Sequence, residues 1–92
     1  MSKPLFALGL IVATPGALDA LTAAGSNGFE YLARHAQGDW GELSAEDKRE
    51  NDLSVRQGFR ILSAYTLQTG VRLWIITEAD RTSTCFLLPA EY

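Results

Sequence analysis

"GFRILSAYTLQTGVRLWIITEADRTSTCFLLP", residues 58–89, decides how this chain folds. From Phe59 onward β-branched and aromatic residues recur with a period near two, and polar clusters at "QTG" and "EADR" interrupt them. Alternation bounded by turn residues predicts three antiparallel strands, 59–68, 71–78 and 82–88. A tight turn at Thr69 and Gly70 would set Tyr65 opposite Trp74, and one at Ala79 and Asp80 would set Glu78 opposite Arg81. Side-chain parity then sends Leu62, Ala64, Leu73, Ile75, Phe86 and Leu88 to one face. The other face receives Ile61, Tyr65, Leu67, Trp74, Ile76 and Leu87. Both faces are apolar, so helices are expected on the first, and the N-terminal segment or another subunit on part of the second.

The rest of the chain supplies those helices. "LFALGLIVA" (5–13) is short, apolar and bounded by Pro4 and Pro15, which predicts a strand, with Gly9 marking a bulge or a close contact. In "TPGALDALTAAG", Thr14 is an N-cap, Pro15 a first helical residue and Gly25 a stop, with Ala17, Leu18, Leu21 and Ala24 on one face. "NGFEYLARHAQG" has capping-box spacing at Asn27 and Glu30, with Phe29, Leu32, Ala33 and Ala36 forming its apolar stripe and Gly38 its end. "SAEDKRENDLSVRQG" begins at Ser44 and stops at Gly58. Its first turns are polar, so Leu53, helped by Ala45 and Val55, is expected to anchor it. The reading is α+β over a single small globular domain, 1–92: two or three short helices packed on an antiparallel sheet of three C-terminal strands, plus an N-terminal edge strand.

Composition narrows the function. The 92 residues are 47% hydrophobic and 21% charged, enough apolar material for one core and too much for a disordered chain. A net charge of −3 argues against a general binder of nucleic-acid backbones. Charge is unevenly spread, with acids concentrated in 39–52, whereas Arg56, Arg60, Arg72 and Arg81 outnumber Glu78 and Asp80 in 56–81; a cationic sheet face is one expectation. Cys85 is the lone cysteine, so no intrachain disulfide forms, and it reads as core filler in a reducing compartment. The N-terminal apolar run is interrupted by Gly9 and leads into a helix start, so it reads as a strand rather than a secretory segment. No stretch is long enough to span a bilayer. A cytoplasmic location is expected.

Few residues invite chemistry. His35 and Cys85 lie far apart in sequence, no metal-ligand spacing is present, and no glycine-rich phosphate loop occurs, so neither a metal nor a cofactor is expected. His35 falls at the end of a helix, where positive charge is favoured. Trp40 is read as a plug closing a loop over the core, with contact to a partner as the alternative. The corner from Glu78 to Thr84 is either a hairpin tip or a site. As a site, Arg60, Arg72 and Arg81 would supply cationic donors, Glu78 a base, and Thr82 and Thr84 hydroxyls. The binding residues would be Trp40, Tyr65, Arg72, Trp74, Thr82 and Thr84.

The segments "HAQGDWGEL", "EDKREND", "GFRILSAY" and "LWIITEADRTSTCFLLPAEY", in this order, resemble a family of short bacterial proteins known as plasmid-related proteins. That resemblance covers about Leu8 to Tyr92 and implies a plasmid or mobile-element context with no established activity. "FRILSAY" followed by "LWIITEADRTST" is also similar to the sheet of barnase-like small ribonucleases. In that family a sheet Glu is the base, Arg residues bind phosphate and a late His is the acid. Here no His follows His35, so the acid has no counterpart, and Arg60 is the one loose match. The expectation is a non-enzymatic interaction or accessory protein with a protein partner or itself, as a homodimer through the second sheet face; the alternative is a barnase-like ribonuclease using Arg60, Glu78 and Arg81.

Overall fold

The computed structural model describes residues 3–92. Its elements are β1 (Leu10–Ala13), α1 (Pro15–Ala23), α2 (Phe29–Ala36), α3 (Ala45–Gln57), β2 (Ile61–Thr66), β3 (Arg72–Thr77), β4 (Ser83–Leu87) and a short 3-10 turn, Pro89–Glu91. The four strands form one sheet in the order β1-β4-β3-β2. The C-terminal strands are antiparallel, as their sequence predicts, and the N-terminal strand joins at an edge. That strand runs parallel to β4, so the sheet is mixed.

Local signals set the helix ends. The Thr14 hydroxyl accepts from the amide of Ala17 and Pro15 opens α1; the Ser44 hydroxyl accepts from the amide of Asp47 and opens α3. Gly58 ends α3 in a left-handed conformation that costs a glycine little. Two expectations shift. The cap of α2 is Gly28, also left-handed, because the Asn27 side chain accepts from the amide of Phe29 instead of capping one turn further on. Phe29 is thereby turned outward, away from the stripe expected for it.

Helices α1 and α2 lie on the sheet face formed by Ile61, Ser63, Tyr65, Leu73, Ile75, Thr77, Thr84 and Phe86. The core joins Ala17 and Leu21 of α1 to Tyr65, Leu73, Ile75 and Phe86, with Tyr31 and Leu32 of α2 packed against it. A second cluster of Phe6, Trp40 and Ile61 continues it toward α3, and Val55 packs there. Leu53 does not anchor α3, being more than a third exposed; Asn51 and Ser54 are the helix's buried residues.

The expected register of β2 fails by one residue. Tyr65 stands opposite Leu73, and Trp74 opposite Ala64. The turn is 68–70 rather than 69–70: the amide of Leu67 donates to Val71 and that of Gly70 to Leu67. A one-residue slip reverses every side chain of a strand. Ile61 and Tyr65 therefore face the helices, while Leu62 and Ala64 join Trp74, Ile76 and Leu87 on the second face. The following turn also closes later than expected, with the Glu78 amide donating to the Ser83 carbonyl.

The apolar segment 5–13 is a strand only in its second half. Leu5 instead donates its amide to Ala36 at the end of α2, and Phe6 enters the core. Gly9 enforces the change: at φ +67 it passes so close to the backbone of Thr82 that a Cβ would sit 2.4 Å from the Thr82 carbonyl carbon.

The outer edge of β2 is closed. Asn51 donates from its side-chain amide to the Leu62 carbonyl at 2.6 Å and accepts from the Leu62 amide at 3.3 Å, as a neighbouring strand would. One step along, the Ala64 amide donates to Trp40 and the Ala64 carbonyl accepts from Glu42. Replacing Asn51 by Ala strands both groups of Leu62, and N51A is expected to lose roughly 1–3 kcal/mol in urea unfolding. A loss below about 0.5 kcal/mol, the range of neutral surface changes, would contradict this role.

Candidate functional site

Three groups of polar or exposed residues stand out: the hydroxyls in the strands, the charged turn 78–82, and the outer edge of β1. The hydroxyls turn inward. Ser63, Thr77 and Thr84 occupy helix-facing positions of β2, β3 and β4, and none is exposed to solvent. His35, at the last turn of α2, is equally buried and reaches Ser63 through Nδ1 and Thr77 through Nε2, the latter at 2.8 Å. Thr77 contacts Thr84 at 2.8 Å, and Thr84 donates to the carbonyl of Leu8 at 2.7 Å.

Counting hydrogens orders this chain. Thr84 spends its single hydrogen on Leu8, so Thr77 must donate to Thr84 and must accept from His35. Nε2 therefore carries the proton, and Nδ1 accepts from the Ser63 hydroxyl. The imidazole is neutral and fully satisfied, not a charge placed at a helix end as its position suggests. Phe6 and Trp40 present ring contacts to it at 5.3 and 5.9 Å. Burial drives its pKa down from 6.5 to about 4. Sealed in this way it cannot meet a substrate, and its role is architectural.

Thr84, Tyr65 and Trp40, expected as binding residues, are thus interior. Trp40 is the plug: its indole N–H donates to Asp52 at 3.0 Å and its ring stacks on Phe6. Tyr65 donates its hydroxyl to the Asp39 carbonyl, and Arg34, ion-paired to Asp39, lies over its ring.

The charged turn does not assemble a constellation. Arg81 is left-handed (φ 62) and directs its guanidinium at backbone carbonyls, Phe59 at 2.7 Å, Ser54 at 2.9 Å and Glu78 at 3.1 Å, while covering the Phe6 ring. It ties the turn to the end of α3. Arg60 lies over the ring of Tyr92, which packs edge-on against Trp74 of the second face. Arg60 and Arg81 consequently serve opposite faces of the sheet. Thr82 donates its hydroxyl to Asp80, whose carboxyl is held below its usual range by that bond. Glu78 is exposed. Arg72 opens β3 at the far end of the hairpin, about 17 Å from Thr77 by strand rise, and reaches only toward the Glu42 carbonyl. The arginines are dispersed: Arg60 and Arg72 stand toward opposite ends of the second face, and Arg81 lies over Phe6 on the other.

Of ten exposed large hydrophobics among the described residues, five, Leu10, Ile11, Val12, Leu18 and Phe29, gather around β1, which sequence parity did not single out. Leu10, Ile11 and Val12 are 69, 41 and 39% exposed. Beside them opens a groove of about 310 Å³ lined by Ile11, Ala13, Leu18, Leu21, Phe29 and Phe86 among others. Leu18 and Phe29 stand exposed on it. The signal lay in Phe29, which a left-handed Gly28 turns out of the core.

Among the described residues no group of three or more His, Cys, Asp or Glu could hold a metal, and no helix is long and apolar enough to cross a membrane. Comparison with protein-family models, curated proteins and solved structures finds no match for this chain.

The buried imidazole has a measurable consequence. In the unfolded chain His35 protonates near 6.5, whereas in the fold it resists until about 4, so stability falls as pH drops through that window and levels below it. The loss is on the order of 3 kcal/mol at 1.36 kcal/mol per pH unit. Urea unfolding from pH 7 to 4 should show it, and His35→Gln should flatten it, because the carboxylate contributions are common to both proteins. Parallel pH profiles for the two would refute the buried neutral state.

Proposed function

We propose that this chain is a non-enzymatic interaction protein, acting in the plasmid or mobile-element setting its sequence resembles. The observation that carries the reading is the contrast between its surfaces. Two polar residues that could perform chemistry are spent on the fold, His35 on Ser63 and Thr77 and Arg81 on carbonyls. A cluster of apolar residues that could bind another polypeptide, Leu10, Ile11, Val12, Leu18 and Phe29, is left outside at β1 and the groove beside it. An open strand edge beside an apolar channel suits an extended segment, with main-chain hydrogen bonds for affinity and side-chain contacts for selectivity.

The ribonuclease alternative requires Arg60, Glu78 and Arg81 to meet one phosphate. Arg60 on Tyr92 and Arg81 over Phe6 do not share a surface.

A photo-reactive phenylalanine analogue at Ile11 tests the reading in living host cells, with the same analogue at exposed Glu46 of α3 as control. Discrete polypeptide adducts are expected from position 11 and not from 46. No adduct from position 11, or RNA cleavage by the purified protein that Arg60→Ala or Glu78→Gln abolishes without unfolding it, would overturn it.

A further inference from the structure

The two edges of the sheet are treated differently. On β2 the outward groups of Leu62 and Ala64 are taken by Asn51, Trp40 and Glu42. On β1 the amides of Leu10 and Thr14 donate inward to Thr82 and Phe86, so the alternation of a strand turns the amides and carbonyls of Ile11 and Ala13 outward. Among the described residues no strand lies beyond them. Leu10–Ala13 also lacks the charge, proline or bulge that usually guards such an edge.

Resting on the reading of β1 as a polypeptide-binding edge, we propose that its partner is β1 of a second copy of this chain. The strands run antiparallel about a two-fold axis through Val12, joining two four-stranded sheets into one. In this register Ile11 faces Ala13 of the second copy and Ala13 faces its Ile11. Every outward amide and carbonyl of both strands is then used. Ile11 and Ala13 share the helix-covered side with Thr84 and Phe86, so the large side chain of each copy stands beside the small one of the other, next to the groove that Ala13 lines. Leu18 and Phe29, exposed on each groove, extend the contact beyond the short strand.

Two copies at a net −3 repel overall, and a contact through β1 keeps that repulsion weak by bringing apolar rather than acidic surface together. The groove lining contains no charged residue. The acid-rich segment 39–52 abuts β2 through Trp40, Glu42 and Asn51, at the opposite edge of the sheet. Pairing through β1 therefore places the two acidic segments at the far ends of the joined sheet.

Light scattering and amide exchange on the intact protein test this. At micromolar concentration the mass should be twice 10.0 kDa, and Val12→Lys, which brings two ammonium groups together at the axis, should shift it to the monomer with circular dichroism unchanged. Exchange at Ile11 and Ala13 should slow with rising concentration, while the Val12 amide, facing β4, should not respond. Val12→Cys should give a disulfide-linked dimer on mild oxidation, reporting on the register even if the lysine variant fails to fold. A monomer with fast, concentration-independent exchange at Ile11 and Ala13 overturns self-pairing, as does a dimer that Val12→Lys leaves intact. In either case adducts from position 11 with a different polypeptide would leave the binding reading standing, whereas their absence would remove both.

Discussion

One neutral imidazole fastens α2 to the sheet. From His35 a hydrogen-bonded chain runs to Ser63 on β2 in one direction. In the other it passes through Thr77 on β3 and Thr84 on β4 to the N-terminal backbone at Leu8. Five segments, α2, β2, β3, β4 and the N-terminal stretch at Leu8, are thereby held in one arrangement. Each bond contributes about 0.5–1.5 kcal/mol net, but an orphaned buried partner costs about 1–3 kcal/mol, so the chain penalises misplacement more than it rewards formation. No buried side-chain nitrogen or oxygen among the described residues lacks a partner. The order of donors depends on His35 remaining uncharged, and the rings of Phe6 and Trp40 exclude the water that would stabilise its cation.

The same economy divides the surface. Polar side chains that would be conspicuous at an enzyme site serve as replacements for backbone: Asn51 imitates a strand, Arg81 collects loop carbonyls, and Glu91 accepts from Thr14 and the amide of Gly16 at the start of α1. One sheet edge is sealed by Asn51 together with the backbones of Trp40 and Glu42. The other remains open and apolar, and a strand edge of that kind is selected against unless something covers it. Fold and proposed interaction follow from one allocation of hydrogen-bonding groups.

Much of this is legible in the sequence. Thr14-Pro15, Ser44 and Gly58 mark helix ends through local chemistry, and the C-terminal alternation gives three strands in antiparallel order. What local rules could not resolve was register. "QTG" closes as 68–70, a choice between closely related turns, yet it moved Tyr65 and Ile61 to the opposite face. With β2 placed correctly, Ser63, Thr77 and Thr84 fall on one side among apolar neighbours, and a row of inward hydroxyls asks for a polar partner. His35 is that partner. Capping-box spacing at Asn27 places Phe29 in the apolar stripe, whereas the chain caps at Gly28 and turns it outward. The open edge of β1 depends on what Asn51 and Glu42 do elsewhere, information that no local window contains.

The central claim is that His35 is a neutral, Nε2-protonated link in a closed chain. Nitrogen-15 NMR of the imidazole, recorded as pH is lowered from neutrality, tests it most directly. The account predicts the Nε2–H tautomer at pH 7, persisting until the ring titrates at about 4. An Nδ1–H tautomer, or titration near the ordinary value of 6.5 with the protein still folded, would contradict it.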